Sequence, residues 1–388
     1  MNLPWTKTSL YLEQMRVTKI LLLVALPVLS VFAAGAQSSD TVHESELHDF
    51  RVVREVGNLQ NPWGLAYLPD GRLLVTERPG RLSMIDGTQR TQVSGLPDIA
   101  AVGQGGLLDV AVHPDFERNR LVYFTYAARG DGGVGTALGR GRLDGSTLRD
   151  VEQLFLMNQL SNAGQHFGSR LVFLNDGTIL FTIGDRGQRN RSQNFADHAG
   201  GTIRLNDDGS VPDDNPWVGD DRFAPEFFTV GNRNSQGMTI HPETGQIWQS
   251  EHGPRGGDEL NLIQPGRNYG WPLVSQGTEY ASGAEIGARE RAGITNPVHY
   301  WTPAIAPSGM TFYTGDAFPE WRGNLFLASL VQRQLHRIVL DGTQVVHEEI
   351  LLPRQIGRIR DIVQGPDGFL RVITDEADGG IYRIEPAS

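Results

Sequence analysis

The sequence predicts an all-β fold and, within that class, a six-bladed β-propeller. Glycine and proline account for 47 and 21 of the 388 residues and are spread along the chain, so few stretches are long enough for helices. One pattern occurs six times: an apolar strand, a turn rich in Pro, Asn, Asp and Gly, and a second apolar strand that ends in polar residues. Each copy has the alternation and the turn chemistry of a β-hairpin.

The six hairpins are spaced for a repeated sheet. They occupy residues 65–80, 108–126, 170–187, 237–253, 309–330 and 359–376. Successive copies begin 43, 62, 67, 72 and 50 residues apart, which leaves room for four short strands in each copy. A β-sandwich would also contain hairpins, but it gives no reason for six similar ones. In a propeller the loops at one end converge on the central channel, so polar residues of distant hairpins can share a site.

The first 36 residues differ in composition from the rest of the chain. Basic residues precede an apolar run at 20–34, and an Ala-Gly-Ala sequence ending at Ala36 fits a signal-peptidase site. We predict a cleaved signal peptide over residues 1–36 and a single catalytic propeller domain over 37–388. The apolar run contains a proline and is short for a membrane span. Together with the absence of cysteine, this predicts a periplasmic or secreted protein without disulfides.

The charge of the chain argues against nucleic acid as a partner. The formal net charge is −11, and removal of the predicted leader, which has three basic residues and one acidic residue, makes it −13. A nucleic-acid-binding domain normally has a basic excess. The acidic excess is typical of a soluble protein, and no stable membrane span is expected after processing.

The stretch SEHGPRGGDELNLIQPGRNYGWP at residues 250–272 is a candidate metal loop. Its Gly253-Pro254 and Gly256-Gly257 pairs cannot continue a strand, so the backbone must turn and expose carbonyl groups. Asp258 and Glu259 add two adjacent carboxylates. Carbonyl and carboxylate oxygens suit a hard cation such as Ca²⁺, although a long turn with solvated acids is the alternative.

Two other glycine-bearing segments do not support a site. Residues 205–217 are acidic but lack the Asp-x-Asp-x-Asp-Gly spacing and the final glutamate of an EF-hand, so a solvated loop is favoured. Residues 130–135 spell GxGxxG, but no helix is predicted after them, as a dinucleotide site would require. The sequence has no Gly-x-Ser-x-Gly, HExxH or Walker motif.

Arginines and one histidine are the remaining candidates. Arg358 and Arg360 are two apart and would share one face of a strand, where they form either an anion-binding wall or an exposed edge. Arg233 stands beside Asn234 in a similar position before a strand. His166 precedes a strand in QHFGSRLVF, where an imidazole adds nothing to turn geometry that glycine and serine do not supply. It is either a structural histidine or a functional one.

Taken in order, six blocks resemble a known family. They are GQGGLLDVAVHPDF, HFGSRLVF with GDRGQRN, GNRNSQGM, SEHGPRGGDELNLI with NYGWP, APSGMTFY, and RIRDI followed by PDG. From about Asn61 to the C-terminus the chain is similar to the soluble PQQ-dependent aldose and glucose dehydrogenases. The resemblance implies a six-bladed propeller that binds pyrroloquinoline quinone (PQQ) and Ca²⁺ and oxidises the C1 hydroxyl of an aldose to the lactone. It also implies an electron acceptor, either a quinone or a small redox protein.

The resemblance assigns roles to the candidate residues. His166 corresponds to the general base, Asp185 to the group that orients it, and Arg233 to the cation that stabilises charge on the quinone oxygen. The carbonyls of Gly253 and Pro254 would hold the cofactor Ca²⁺. The positions implied around a second, structural calcium are Asp258, Glu259 and Tyr269, and the implied cofactor contacts are Gln104, Asn190, Arg233, Asn234, Arg358 and Arg360.

Three departures from the family pattern leave the substrate open. Asn232 replaces a histidine before the Arg-Asn pair, Val331 replaces a cofactor-contacting lysine, and Asn190 stands where the glucose enzymes have glutamine. Glucose specificity is therefore not expected to carry over. Two alternatives use the same fold: a calcium-dependent sugar lactonase, which would not need Arg358 and Arg360, and a non-catalytic carbohydrate-binding propeller, which would not need His166 with Arg233.

Overall fold

A computed structural model describes residues 38–387, and the signal peptide predicted over residues 1–36 lies outside them. The described residues form six antiparallel sheets arranged as the blades of a propeller. The predicted six-bladed β-propeller is confirmed. Within the described residues no helix is long and apolar enough to cross a membrane.

The blades follow one another along the chain. Two strands precede them, β1 (Ser38–His43) and β2 (Phe50–Leu59). Blade 1 contains β3 (Pro62–Tyr67), β4 (Leu73–Glu77), β5 (Arg81–Asp86) and β6 (Gln89–Val93). Blade 2 contains β7 (Leu107–Val112), β8 (Leu121–Gly130), β9 (Gly133–Asp144) and β10 (Thr147–Leu156). Blade 3 contains β11 (Leu171–Phe173), β12 (Ile179–Ile183), β13 (Gly201–Leu205) and β14 (Phe227–Val230).

The second half of the ring repeats this order. Blade 4 contains β15 (Ser235–Ile240), β16 (Ile247–Glu251), β17 (Asp258–Ile263) and β18 (His299–Trp301). Blade 5 contains β19 (Pro307–Phe312), β20 (Leu325–Ser329), β21 (Gln334–Asp341) and β22 (Gln344–Leu351). Blade 6 contains β23 (Ile359–Gln364), β24 (Leu370–Thr374) and β25 (Gly379–Pro386). The helical elements are short: α1 (Phe116–Asn119) and two 3₁₀ turns at Arg189–Gln193 and Pro319–Trp321.

The ring is closed by the N-terminal strands. Blade 6 has the order β1-β2-β25-β24-β23, so β2 supplies its fourth strand. The pairing is antiparallel and places Val52 opposite Ile384. A closed ring leaves no blade with an unpaired inner surface, so this pairing holds the first and last parts of the domain together.

Burial decreases from the inner to the outer strands of a blade. Every residue of β4, β12, β20 and β24, the second strands of four blades, is buried. These strands are predominantly apolar because both of their faces pack against neighbouring blades. The outer strand β6, QRTQV, is exposed except at its last residue. The core is therefore a series of apolar wedges between blades, for example Val110 and Phe124 of blade 2 against Leu74 of blade 1.

Three inner strands are joined by buried charges near the channel axis. The Arg170 guanidinium lies 3.1 Å from the Asp109 carboxylate and 3.0 Å from that of Asp361. All three side chains are buried, and they come from blades 3, 2 and 6. Removing one partner of such a cluster would leave a buried charge uncompensated, so the cluster fixes the relative positions of these strands.

Candidate active site

The predicted site residues lie at one end of the channel. Each inner strand begins at this end, and each second strand finishes there, so the loops before the first and after the second strands converge. His166 precedes β11, Arg233 precedes β15 and Arg358 precedes β23, whereas Asp185 follows β12. Residues that are far apart in sequence thus surround one opening.

His166 and Asp185 form a hydrogen-bonded pair. Nδ1 of His166 lies 2.6 Å from Oδ1 of Asp185, and the His166 side chain is 13 % exposed. An ionised carboxylate only accepts hydrogen bonds, so Nδ1 carries a proton, and in the neutral imidazole Nε2 keeps its lone pair. The imidazole is therefore oriented as a base that can accept a proton at Nε2.

Asp185 is buried and held on both oxygens. Oδ1 also accepts a bond from the Gly187 N–H at 2.7 Å, and Oδ2 accepts one from the Trp271 indole N–H at 2.8 Å. Burial alone raises the pKa of Asp185, but the bond from His166 and the charges of His166 and Arg233 outweigh it, so the pKa lies below the ordinary value. Asp185 is thus a carboxylate at neutral pH.

The backbone of the His166 loop is held in a sparsely populated conformation. His166 has a φ of +55°, in the left-handed region that few residues other than glycine adopt. Its N–H donates to Oε1 of Gln104 at 2.9 Å, and Oδ1 of Asn234 accepts the Gly168 N–H at 3.0 Å. A Cβ at Gly184 would lie 2.3 Å from the His166 carbonyl oxygen, so the neighbouring loop packs directly against this backbone.

Arg186 is a buried arginine beside the same loop. Its guanidinium donates to the carbonyls of Gln165 and Ala163 and lies over the Phe167 ring, with 3.4 Å to the centroid. Burial lowers the pKa of Arg186 to about 10, which leaves it charged at neutral pH. Arg186 was not identified from the sequence, although it lies inside the GDRGQRN block.

Arg233 is a buried cation without a carboxylate partner among the described residues. Its guanidinium donates to the His252 carbonyl at 3.1 Å and to the Tyr280 hydroxyl at 3.2 Å. It also lies 5.4 Å from the centroid of the Trp271 ring. A buried guanidinium that only neutral groups contact can balance negative charge on a bound molecule.

A pocket of about 380 Å³ opens beside this cluster and is rich in arginine. Arg358 contacts the Leu330 carbonyl weakly at 3.4 Å, and Arg78 donates to the Gly103 carbonyl at 2.9 Å. Arg360 pairs with Asp375 at 2.6 Å, but its Nε has no partner among the described residues. The lining residues include Asn61, Trp63, Arg78, Gln104, Gln236, His252, Val331, Arg358, Arg360 and Asp375.

A second, much smaller cavity lies near Arg233, between β16 and its neighbours. Its volume is about 10 Å³, enough for one ion or one water, and Glu251 and Glu259 line it. The Asn261 amide donates to both carboxylates at 3.2 Å. Burial raises the pKa of Glu251 to about 7, and burial together with the neighbouring Glu251 charge raises that of Glu259 well above its usual value. Two carboxylates this close favour a cation between them.

The loop between β16 and β17 turns as the sequence predicts, and Asp258 anchors it. The Asp258 carboxylate accepts the backbone N–H groups of Gly253, Ile305 and Ala306, each at 2.7 Å. Among the described residues the carbonyls of Gly253 and Pro254 accept no hydrogen bond. They are therefore free to bind a cation, whereas Asp258 is already occupied by amide donors.

Two predicted positions lie away from these contacts. Asn190 is exposed in the 3₁₀ turn Arg189–Gln193 and does not line the arginine-rich pocket. Tyr269 lines the small cavity, but its hydroxyl donates to the Leu262 carbonyl at 2.7 Å and accepts the Gln264 N–H at 3.0 Å. A cation in the cavity would therefore not meet a free phenolic oxygen.

Glu251 and His252 were not identified from the sequence. Both precede the glycine-rich loop in SEHG, where they read as the polar end of a strand. His252 lines both cavities and donates through Nε2 to the Pro307 carbonyl at 2.8 Å. Burial and the charges of Arg233 and Arg360 lower its pKa to about 3, so it stays neutral. Their position at the inner end of β16 was the available signal.

Comparison with known proteins agrees with this geometry. The sequence profile described as glucose/sorbosone dehydrogenase matches residues 59–383. The aldose sugar dehydrogenase of Escherichia coli is 39 % identical over 370 residues, covering 93 % of this chain and 97 % of the relative.

Solved structures extend the similarity to three dimensions. The apo-form of the soluble E. coli aldose sugar dehydrogenase superposes with a TM-score of 0.84 at 40 % identity, covering 87 % of this chain and 99 % of the other. The PQQ-bound aldose sugar dehydrogenase of Streptomyces coelicolor gives a TM-score of 0.72 at 26 % identity, covering 86 % and 96 %.

Proposed function

Because this chain belongs to the glucose/sorbosone dehydrogenase family, we propose that it is a PQQ-dependent aldose dehydrogenase that oxidises the C1 hydroxyl of a sugar to the lactone. The observation that carries the proposal is the His166–Asp185 pair, which the Gln104 side chain connects to the arginine-rich pocket. A lactonase would have no use for this pocket, and a binding module would have no use for an oriented base.

His166 and Asp185 account for the movement of the proton. Nε2 of His166 takes the proton of the C1 hydroxyl while the C1 hydrogen leaves with its electron pair. Asp185 holds the ring in this tautomer and stabilises the imidazolium that forms. When bound, PQQ supplies the quinone carbonyl that accepts the hydride, and Ca²⁺ polarises that carbonyl. Arg233, close to the base and without a carboxylate partner, stabilises the negative charge that develops on the acceptor oxygen.

The arginine-rich pocket has the chemistry that a tricarboxylate requires. The Arg358 guanidinium lacks a carboxylate partner among the described residues, and the buried Nε of Arg360 is an unused donor there. Charge-assisted bonds to carboxylates would use these donors. We infer that Arg358 and Arg360 bind PQQ carboxylates and that Gln104 contacts the cofactor edge next to His166. Asn234 supports the same edge by holding the His166 loop.

The decisive experiment is cofactor reconstitution. We expect purified protein to reduce an artificial dye with aldoses only after PQQ and Ca²⁺ are both added, and to show the absorption of bound PQQ. The sugar series should include glucose and disaccharides, because the departures at Asn190, Asn232 and Val331 leave the preferred aldose open. Lactone hydrolysis without PQQ would instead support the lactonase alternative.

We infer two cation positions. The free carbonyls of Gly253 and Pro254 suit the ion that accompanies the cofactor. The small cavity suits a structural ion held by Glu251 and Glu259, and the amide oxygens of Asn232 and Asn261, which have no partner among the described residues, complete an oxygen-rich set. Asp258 supports the loop between the two positions.

Chelation is expected to lower the melting temperature by several degrees. A cation that binds only the folded protein stabilises it by mass action, about 2.7 kcal/mol at a hundredfold excess over Kd. The measurement is thermal unfolding with and without EDTA, followed by Ca²⁺ addition. Glu259→Gln should reduce the EDTA effect, because it removes a ligand of the structural ion only. Glu349→Gln is the matched control, because Glu349 is a buried glutamate paired with Arg337 at 2.6 Å. An unchanged melting temperature, with no calcium in the untreated protein, would contradict both positions.

We also propose that the enzyme acts in the periplasm or after secretion and passes electrons to a quinone or a small redox protein. The proposal rests on the charged and apolar pattern of residues 1–36. Mass spectrometry of protein purified from its own cells is expected to find a chain that begins close to residue 37. A mature chain that retains residues 20–34 would identify the segment as an anchor.

A further inference from the structure

Trp271 contacts both the catalytic pair and the small cavity that Glu251 and Glu259 line. It follows the glycine-rich loop region in NYGWP and is buried at 6 % exposure. Its indole N–H donates to Oδ2 of Asp185 at 2.8 Å, and its ring lines the small cavity beside Glu251 and Glu259. The side chain thus contacts the group that orients the base.

The hydrogen bond from Trp271 to Asp185 restricts the rotation of the Asp185 carboxylate, which orients His166. Oδ1 of Asp185 accepts hydrogen bonds from His166 and Gly187. The rotation of the carboxylate about its Cβ–Cγ bond therefore depends on the group that donates to Oδ2. Among the described residues, only the Trp271 indole donates to Oδ2. Without this donor the carboxylate could turn and lengthen its bond to His166, which would let the imidazole leave its reactive orientation.

Trp271 is itself fixed from several sides. Its backbone N–H donates to the Gly231 carbonyl at 2.8 Å, and its carbonyl accepts the Gln193 amide at 2.8 Å. The guanidinium groups of Arg233 and Arg189 lie 5.4 and 5.6 Å from its ring centroid. Cations over the ring draw electron density toward the ring faces and favour this stacked arrangement. A rigid ring presents its N–H at a fixed point, as a positioning residue must.

We propose that Trp271 is a positioning residue, whose indole N–H locks the Asp185 carboxylate and through it holds His166 in place for proton transfer. The proposal rests on the proposed function, since it requires His166 to be the base. Trp271 itself does not touch the reacting atoms.

The hydrogen bond can be tested without any activity measurement. In protein carrying ¹⁵N-labelled indoles, Trp271→Phe identifies one resonance by its disappearance. Asp185→Ala is expected to move that same resonance upfield and to speed its exchange with solvent, because the carboxylate acceptor is gone. The other indole resonances should stay in place. If no indole responds to Asp185→Ala, the bond does not exist in solution and the proposal is overturned.

Kinetics then test the positioning role. Trp271→Phe keeps an aromatic ring near Arg233 and removes only the donor, so we expect kcat to fall roughly tenfold with little change in KM for the sugar. In an Asp185→Ala background the same substitution should cost less than twofold, because Trp271 acts through Asp185. An equal loss in both backgrounds would show a merely structural effect and would overturn the proposal. If Trp271→Phe folds poorly, the indole ¹⁵N spectrum of Asp185→Ala still tests whether a Trp indole donates to Asp185.

Trp301 provides a matched control. Its indole N–H also donates to a carboxylate, that of Glu348, at 2.8 Å, and it is similarly buried. Trp301 lies at the end of β18, on the wall of a different cavity. Trp301→Phe should leave kcat within twofold of the parent, and a tenfold loss there would count against a specific role for Trp271. Failure of the proposed function can be distinguished from failure of the Trp271 proposal. A His166 variant with parental activity would show that His166 is not the base, whereas the resonance result would still report the bond between Trp271 and Asp185.

Discussion

Replacing His166 with asparagine or glutamine is expected to lower kcat for aldose oxidation by about 10² to 10⁴. Neither amide can accept the proton of the C1 hydroxyl, so only binding and electrostatic stabilisation remain. Glutamine is closer in length, whereas asparagine better tolerates the φ of +55° that His166 adopts. The measurement is dye-linked oxidation under saturating PQQ and Ca²⁺, with kcat and KM determined separately.

Cofactor binding should survive these substitutions. The bond between His166 and Gln104 uses the backbone N–H, and the described contacts of the imidazole nitrogens lead to Asp185 and not into the arginine-rich pocket. His347→Gln, an exposed histidine on β22, is the control. If His166 variants turn over at the parental rate the histidine is structural, and if they lose PQQ the residue contacts the cofactor and Asp185 becomes the candidate base.

Removing the positive charges of Arg358 and Arg360 together is expected to weaken PQQ binding by about 10² to 10⁴-fold. Each substitution deletes a charge-assisted contact with a carboxylate, which is worth about 1.5 to 3 kcal/mol. Affinity is measured by quenching of intrinsic fluorescence during titration with PQQ. Because Arg360 is buried against Asp375 at 2.6 Å, its removal alone would leave an unpaired buried carboxylate.

The variants are chosen to separate folding from binding. Arg358→Ala is made singly, since Arg358 has no ion pair among the described residues. It is then combined with Arg360→Gln and Asp375→Asn, which removes both positive charges without leaving Asp375 as an unpaired carboxylate. Arg149→Ala removes an exposed arginine paired with Asp144 at the opposite end of blade 2 and should leave affinity unchanged. Unchanged affinity in the combined variant would place the cofactor elsewhere in the channel.

The inner hairpins were predictable because their signals are local. Each of the six turns lies between two apolar runs, and each predicted hairpin provides the two innermost strands of one blade. The closure of the ring by β2 was not predicted, because its partner β25 lies at the other end of the chain. The alternation of apolar and polar residues in β2 does not indicate which strand it pairs with. Local patterns specify strands, whereas pairing between distant strands depends on the whole fold.

The site was predictable to a different extent. The resemblance identified His166 and Asp185, which the structure brings within 2.6 Å, but neither composition nor spacing could pair them. Asp258 reads as a metal ligand beside Glu259, yet its carboxylate accepts the backbone N–H groups of Ile305 and Ala306, which lie 47 and 48 positions away in the sequence. Glu251 is the opposite case: it was not identified from the sequence, although it lines the small cavity. A polar residue at the end of a strand does not indicate that the next strand places Glu259 opposite it.

The pairing of β2 with β25 also sets the order in which the domain can be completed. β2 is synthesised almost first and β25 last, so the strand that finishes blade 6 must wait until nearly the whole chain is available. A chain still being synthesised therefore has five complete blades at most and an open gap where the sixth belongs. Loss of the last eight residues of the sheet, Gly379–Pro386, would leave β2 without its neighbour and the gap permanent. The covalent order of the strands thus postpones ring closure until the chain is almost complete.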